Sequence, residues 1–153
     1  MKAVILAGGF GTRLKSVVSE RPKALAPVRN RPFIVFLLDQ LIAAKVESAV
    51  LCIGYLGGKI KNCLGDKYKS LHLEYSHESK PLGTAGALKL ALPFFESNSI
   101  LVLNGDSYFE TNLMLHLFQM FLEVKTHVGR FEFLLLHRSL PIAVEGFLHQ
   151  PCF

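Results

Sequence analysis

The sequence predicts an α/β domain built on a mostly parallel sheet with helices on both faces. Three observations predict it. The apolar runs Ala3–Leu6, Ala49–Ile53 and Ile100–Leu103 are strand-length and lack the in–out alternation of a half-exposed strand, as strands buried on both faces do. Between them lie segments whose apolar residues recur at helical spacing. The resulting order of strand, helix, strand, helix, strand favours parallel pairing, because parallel neighbours need a long crossover connection.

Taken in order, Ala3–Leu6 is the first strand and runs into Ala7-Gly8-Gly9-Phe10-Gly11-Thr12-Arg13-Leu14. A glycine-rich turn at the carboxyl end of a strand lets backbone N–H groups approach an anion with no Cβ in the way. Arg13 and, ten residues later, Lys23 add positive charge, so the stretch reads as a phosphate cradle. A turn that merely reverses the chain is the plainer alternative. Two familiar phosphate loops do not fit. Leu14 stands where G-x-G-x-x-G needs its third glycine, and Gly58-Lys59 is followed by Ile60 rather than Ser or Thr.

The polar stretch from Ser16 to Arg21 is expected to be irregular. Pro32 suits the first position of a helix, and Phe33, Phe36, Leu37, Leu41 and Ile42 carry its apolar face to about Lys45. Ala49–Ile53 is the second strand, with Cys52 as a small core residue. Gly54–Gly58 turns the chain into a short helix through Ile60 and Leu64, and Leu71–Tyr75 alternates as a third strand would. Pro81–Ala87 opens a helical run from Ala87 to Leu92, with Thr84 as its N-cap. The small residues there leave room for a flat ligand, or simply let a capped helix pack closely on a strand. Ile100–Leu103 is the next strand and ends in Asn104-Gly105-Asp106. A carboxylate at the end of a buried strand is costly unless paired or metal-bound. Gly105 permits close backbone approach, and Asp106 can reach a hard cation such as Mg²⁺ or else cap the next turn. Ligands of such sheets bind outside the carboxyl ends of the strands. The glycine turn, the Pro81 segment and Asp106 are therefore expected on one rim.

Bulk properties narrow the classes. With 153 residues, half of them hydrophobic and 19% charged, the chain suits one domain and is neither disordered nor coiled-coil. Its apolar runs are too short for a bilayer, and no secretory leader is expected, since Met1-Lys2 leads directly into a strand and a glycine turn. Cys52, Cys63 and Cys152 show no disulfide or metal spacing, so the expected location is cytoplasmic. The net charge of +5 is concentrated in Arg13, Lys15, Arg21, Lys23, Arg29 and Arg31, broken only by Glu20. These cations suit a nucleoside triphosphate or a nucleic-acid backbone. The lack of interleaved aromatics disfavours a single-strand platform, so neither a nucleic acid nor a membrane is the expected partner.

Leu6–Leu14 and Arg21-Pro-Lys-Ala-Leu-Ala-Pro-Val28, followed by Pro81-Leu-Gly-Thr-Ala-Gly-Ala87 and Leu101-Val-Leu-Asn-Gly-Asp-Ser107, resemble the signature of the sugar-1-phosphate nucleotidyltransferases, or NDP-sugar pyrophosphorylases. Within that family they look most like the heptose- or mannose-1-phosphate guanylyltransferase branch. The four blocks stand in the right order over residues 2–109. The resemblance implies a three-layer, Rossmann-like, GT-A-like fold. It implies attack of a sugar-1-phosphate oxygen on the α-phosphate of a nucleoside triphosphate, GTP by the Leu-Gly-Thr-Ala-Gly form, with release of pyrophosphate. The product would be an NDP-sugar for surface polysaccharide. It also implies roles. Arg13, Lys23 and Asp106 would be catalytic, with Mg²⁺ on Asp106. Ala7, Gly8, Gly9, Gly11, Thr12, Arg13 and Lys23 would hold the triphosphate, and Gly83 and Thr84 the base, with Glu78 near the base edge.

Past Phe109 the resemblance fades. Asn112–Glu123 suits an amphipathic helix and Phe131–Leu136 a strand, while Ser139–Phe153 has no recognisable pattern. No Asp follows Asp106. The second metal carboxylate that the family brings would have to come from Glu110, Glu123, Glu132 or Glu145, none in a matching motif. His116, His127, His137 and His149 have no metal spacing. The expected organisation is one domain, 1–153, with a nucleotide-binding half at 1–109 and a divergent, truncated or frame-altered acceptor half at 110–153. Two other readings stay open: an inactive or regulatory nucleotide-binding domain, and a nucleic-acid module on the basic segment. An exposed apolar tail would also permit a homo-oligomer.

Overall fold

The computed structural model describes residues 2–9, 21–95, 99–108 and 132–135. The expected helix at Asn112–Glu123 lies outside them, while the expected strand at Phe131–Leu136 is described over Glu132–Leu135. The described chain forms β1 (Lys2–Leu6), β2 (Pro27–Val28), β3 (Arg31–Pro32), α1 (Phe33–Ala43), β4 (Ser48–Ile53), α2 (Gly57–Leu64), β5 (Lys67–Tyr68), β6 (Leu71–His77), α3 (Gly83–Ala91), β7 (Ser99–Asn104) and β8 (Glu132–Leu135). Single 3₁₀ turns lie at Lys23–Leu25 and Leu92–Phe94.

Six strands make one sheet in the order β5-β6-β4-β1-β7-β8, and every pair is parallel except the short β5–β6 edge hairpin. The order follows from the sequence pattern. β1, β4 and β7 sit inside the sheet, and their runs Ala3–Leu6, Ala49–Ile53 and Ile100–Leu103 are continuously apolar because both faces are covered. β6 alternates buried and exposed residues more openly near the edge.

Side-chain alternation along β1 divides the core. Ala3 and Ile5 point into a cluster with Leu37, Leu38 and Leu41 of α1 and Ile60 of α2. Val4 points the other way, with Val50, Cys52 and Val102, against Ala87 and Ala91 of α3. The molecule is thus three layers: helices, sheet, helix.

Several boundaries differ from expectation. Pro32 precedes α1 rather than opening it, since it pairs with Pro27 in a two-stranded hairpin. That hairpin turns through Arg29 and Asn30, both at positive φ, as a tight two-residue turn requires. α1 ends at Ala43, and Lys45 at φ 59 carries the chain out of the helix. α3 starts at Gly83, four residues before the expected Ala87. Thr84 is therefore not the N-cap. Leu82 occupies that position without a side-chain cap, and its N–H is instead donated to Glu78 Oε2 at 3.2 Å.

Candidate functional site

The chain runs outward from β1 to β4 to β6, then returns to the other side of β1 at β7. Adjacent strands at such a reversal send their connections to opposite faces and leave a crevice at their carboxyl ends. A cleft of about 310 Å³ lies there, lined by Leu6, Ala7, Gly8, Gly9, Lys23, Glu78, Gly83, Thr84, Asn104, Gly105 and Asp106 among others. Of the residues singled out from sequence, it gathers Ala7, Gly8, Gly9, Lys23, Glu78, Gly83, Thr84 and Asp106. Gly11, Thr12 and Arg13 lie outside the described residues.

Local backbone bonds explain the convergence. The Ala7 N–H donates to the Cys52 carbonyl at 2.8 Å, which extends the β1–β4 ladder into the glycine turn. The Gly105 N–H donates to the Leu6 carbonyl at 2.9 Å, and a Cβ at Gly105 would lie 2.8 Å from that same oxygen. Glycine there serves the close approach of β7 to β1, and that approach brings Asp106 beside the glycine turn. Lys23 arrives by a different route. Its 3₁₀ turn is closed by Leu25 N–H to Pro22 carbonyl and Ala26 N–H to Lys23 carbonyl, both 2.9 Å, and is pinned to α1 by Phe33 N–H to Ala26 carbonyl, also 2.9 Å. Buried Ala24 and Leu25 hold the turn down and leave Lys23 at the rim.

Lys23 Nζ stands 3.9 Å from Asp106 Oδ2, with the two side chains 36% and 58% exposed. At that distance and exposure the pair is loose and weak. The exposure also corrects the expectation that Asp106 is costly without a partner: its carboxylate remains in contact with water and carries little desolvation penalty. What recommends Asp106 for a cation is the hardness of its oxygens and its place in the cleft.

Glu78 follows β6 and is bound to β4 through its own N–H, donated to the Ile53 carbonyl at 2.9 Å. Its Oε1 fills the space that a Cβ would take at Gly8 and at Gly54. At Gly9 that space is open. Gly83 sits at φ +68, in the left-handed region, where glycine begins α3 without strain. On β4, burial pushes the Cys52 thiol up to about 11, and the nearby Glu78 carboxylate adds to the shift. The described lining thus sets one cation, Lys23, against two carboxylates, Glu78 and Asp106. Gly54, which shares Glu78 with Gly8, has a part in the site that sequence reasoning missed. Its only signal was a second glycine-rich turn after a second apolar run.

A family model described as nucleotidyl transferase matches residues 2–129. The chain is 40% identical over 113 residues to the D-glycero-alpha-D-manno-heptose 1-phosphate guanylyltransferase of Campylobacter jejuni, covering 74% of this chain and 51% of that one. It is 37% identical over 110 residues to the mannose-1-phosphate guanylyltransferase catalytic subunit beta of Xenopus tropicalis, covering 69% and 31%. Among solved structures, HddC from Yersinia pseudotuberculosis complexed with GMP-PN superposes with a TM-score of 0.68 at 33% identity, over 82% of this chain and 54% of that one. The chain spans about half the length of the heptose-phosphate relatives it matches.

Proposed function

This chain belongs to the nucleotidyl transferase family, and from that premise we propose that its cleft binds a nucleoside triphosphate, GTP by preference, and transfers the nucleotidyl group to a sugar-1-phosphate. Pyrophosphate is released and an NDP-sugar for surface polysaccharide is formed. The observation that carries the reading is the convergence of Gly8 and Gly9, Lys23 and Asp106 on one cleft at the strand-order reversal. The guanine preference rests on the heptose- and mannose-phosphate relatives.

The reaction needs no amino-acid nucleophile, because the acceptor phosphate oxygen attacks and pyrophosphate leaves. It needs two anions held in line and the charge on the transferring group neutralised. Backbone N–H groups of the glycine turn would hold the triphosphate, a role the proposal extends to Gly11 and Thr12. Lys23 would neutralise the phosphoryl oxygens, and Arg13 the departing pyrophosphate. Gly83 and Thr84, small and exposed at the start of α3, give the base a flat bed.

A divalent cation fits this donor set. One lysine facing two carboxylates does not neutralise a triphosphate. Mg²⁺ is characteristically held by one or two carboxylates and completed by substrate phosphates, and Asp106 lines the cleft beside Lys23. Asp106 would hold the ion. When bound, the ion supplies charge neutralisation at the phosphates. No described helix is long and apolar enough to cross a membrane, and cysteines without paired spacing keep a cytoplasmic location in the reading.

A second reading is nucleotide binding without transfer, since Asp106 is the one carboxylate that the proposal gives to the cation. Pyrophosphate release decides between them. GTP, ATP, UTP, CTP and dTTP are each incubated with Mg²⁺ and a panel of hexose- and heptose-1-phosphates. Transfer is expected with GTP and one sugar phosphate. A GTP-dependent thermal shift without pyrophosphate release from any pair would leave binding alone.

A further inference from the structure

We propose that Gly86 is a positioning residue for the cleft: its missing Cβ makes the room in which Leu82 folds back over the first turn of α3, and that fold holds Gly83 in its left-handed conformation at the rim. The inference rests on the reading above for its ligand, but not for the pairing of Leu82 with Gly86.

Gly86 lies inside α3, past Gly83, and its own φ is not positive. Its conformation therefore does not call for glycine, and alanine would be more stable in a helix interior. Space accounts for it. A Cβ at Gly86 would lie 2.5 Å from Leu82 Cβ and 3.6 Å from Leu82 Cγ. In a regular helix, Cβ atoms four residues apart stand about 5–6 Å from one another. The short distance follows from the backbone at the helix start. Leu82 has φ −104° and ψ −5°, and Gly83 has φ +68°. The left-handed residue reverses the chain and lays Leu82 against the helix that it precedes. The contacting atom is Cβ, fixed to the main chain, so no change of rotamer at Leu82 can relieve the contact.

Leu82 and Gly86 are not among the residues that line the cleft, but their neighbours Pro81, Gly83, Thr84 and Ala87 are. Leu82 is 38% exposed, so burial in the core is not what holds it. Its N–H is anchored on Glu78 Oε2 at 3.2 Å, and its side chain rests on Gly86. With a methyl group at position 86, Leu82 has to move outward, and the main chain of Gly83 moves with it. Gly83 and Thr84 then leave the places from which they border the cleft, although Gly86 itself lies outside it. The two glycines of Gly83-Thr84-Ala85-Gly86 are thus one device. The first supplies the left-handed turn, and the second supplies the room for it.

The test has two arms. In the first, unfolding midpoints are measured for wild type, Gly86→Ala, Leu82→Gly and the double variant. An ordinary glycine inside a helix gains stability on change to alanine, so the sign of the change is diagnostic. Gly86→Ala is expected to lower the midpoint by about 5 °C in wild type. In the Leu82→Gly background it is expected to raise the midpoint, because the opposing Cβ is gone. A rise in wild type, or a loss as large in both backgrounds, would overturn the pairing. Should Gly86→Ala fail to fold, a folded double variant is the same rescue, and a double variant that fails where Leu82→Gly folds would overturn the pairing. In the second arm, GTP with Mg²⁺ is titrated into wild type and Gly86→Ala well below both midpoints. A merely structural defect leaves the affinity of folded protein unchanged there. Gly86→Ala is expected to bind about tenfold more weakly, as when the competent loop is populated about one-tenth of the time. Equal affinity would overturn the positioning role. If the wild type binds no GTP while the first arm shows the rescue, the function proposed above fails and the pairing stands.

Discussion

Lys23 and Asp106 carry opposite charges on the same rim without neutralising each other tightly, since 3.9 Å and half-exposed side chains leave both accessible. A side chain placed so is available to an incoming phosphate at little cost. Lys23→Ala and Arg13→Ala are each expected to cut turnover by ~10²–10³ with the far-UV spectrum unchanged, the usual loss for a preorganised charge. Full turnover in either variant would remove that role. The cysteines make a second residue-scale test. Cys52 is buried and its thiol is held protonated, whereas Cys63 is exposed, and reactivity follows the thiolate. Peptide mapping after brief alkylation near neutral pH should find Cys63 modified and Cys52 intact. At this scale the sequence was informative about residue types and silent about contacts. Lys23 and Asp106 were legible because each ends or follows a recognisable run. The link between Glu78 and Gly8, residues far apart in the chain, has no pattern to betray it. Asp106 was singled out partly for a burial that the structure does not show.

The elements are tied together outside the cleft by a polar cluster centred on Asp39 of α1. Arg31 of β3 donates to Asp39 Oδ2 at 2.7 Å, while Lys69 and the Tyr68 hydroxyl donate to Oδ1 at 2.6 and 3.1 Å. Arg31 also stacks over the Phe36 ring at 5.0 Å. The cluster fastens the β2–β3 hairpin, which follows the Lys23 turn, to α1 and to the β5–β6 hairpin. Burial raises the Asp39 carboxyl, but hydrogen bonds from Lys69, Arg31 and Tyr68 outweigh it and hold the group below its ordinary 3.8. The folded state therefore keeps this carboxylate charged at lower pH than the unfolded chain does. Its contribution is present above about pH 3.8 and is lost as pH falls through the folded value. Asp39→Asn should lower the unfolding midpoint near neutral pH and flatten its fall on acidification below that point. An unchanged acid limb would show that the cluster contributes nothing. The long elements were legible because burial on both faces leaves continuous apolar runs. The two-residue strands β2, β3 and β5 were not, since a period needs more residues than they have. The early start of α3 escaped notice because a distant carboxylate meets the donor before it, in place of the local hydroxyl that capping rules look for.

For the molecule as a whole, the arrangement follows from one topological fact: the chain leaves β1 in one direction and returns on its other side at β7. That reversal opens the crevice, and the close β1–β7 approach at Gly105 narrows it until the glycine turn and Asp106 face the same space. The mostly parallel order was readable from the spacing of apolar runs. The side on which β7 would join was not, because no local pattern records which neighbour a strand takes. The proposed function makes the glycine turn, Lys23 and Asp106 a single site for a nucleotide and its cation. The most direct measurement is calorimetric titration of GTP into wild type, Lys23→Ala and Asp106→Asn, each with and without Mg²⁺. Wild type is expected to bind GTP more tightly with Mg²⁺, Lys23→Ala to bind weakly in both conditions, and Asp106→Asn to lose the Mg²⁺ enhancement. Identical affinities and identical Mg²⁺ dependence in all three proteins would contradict it.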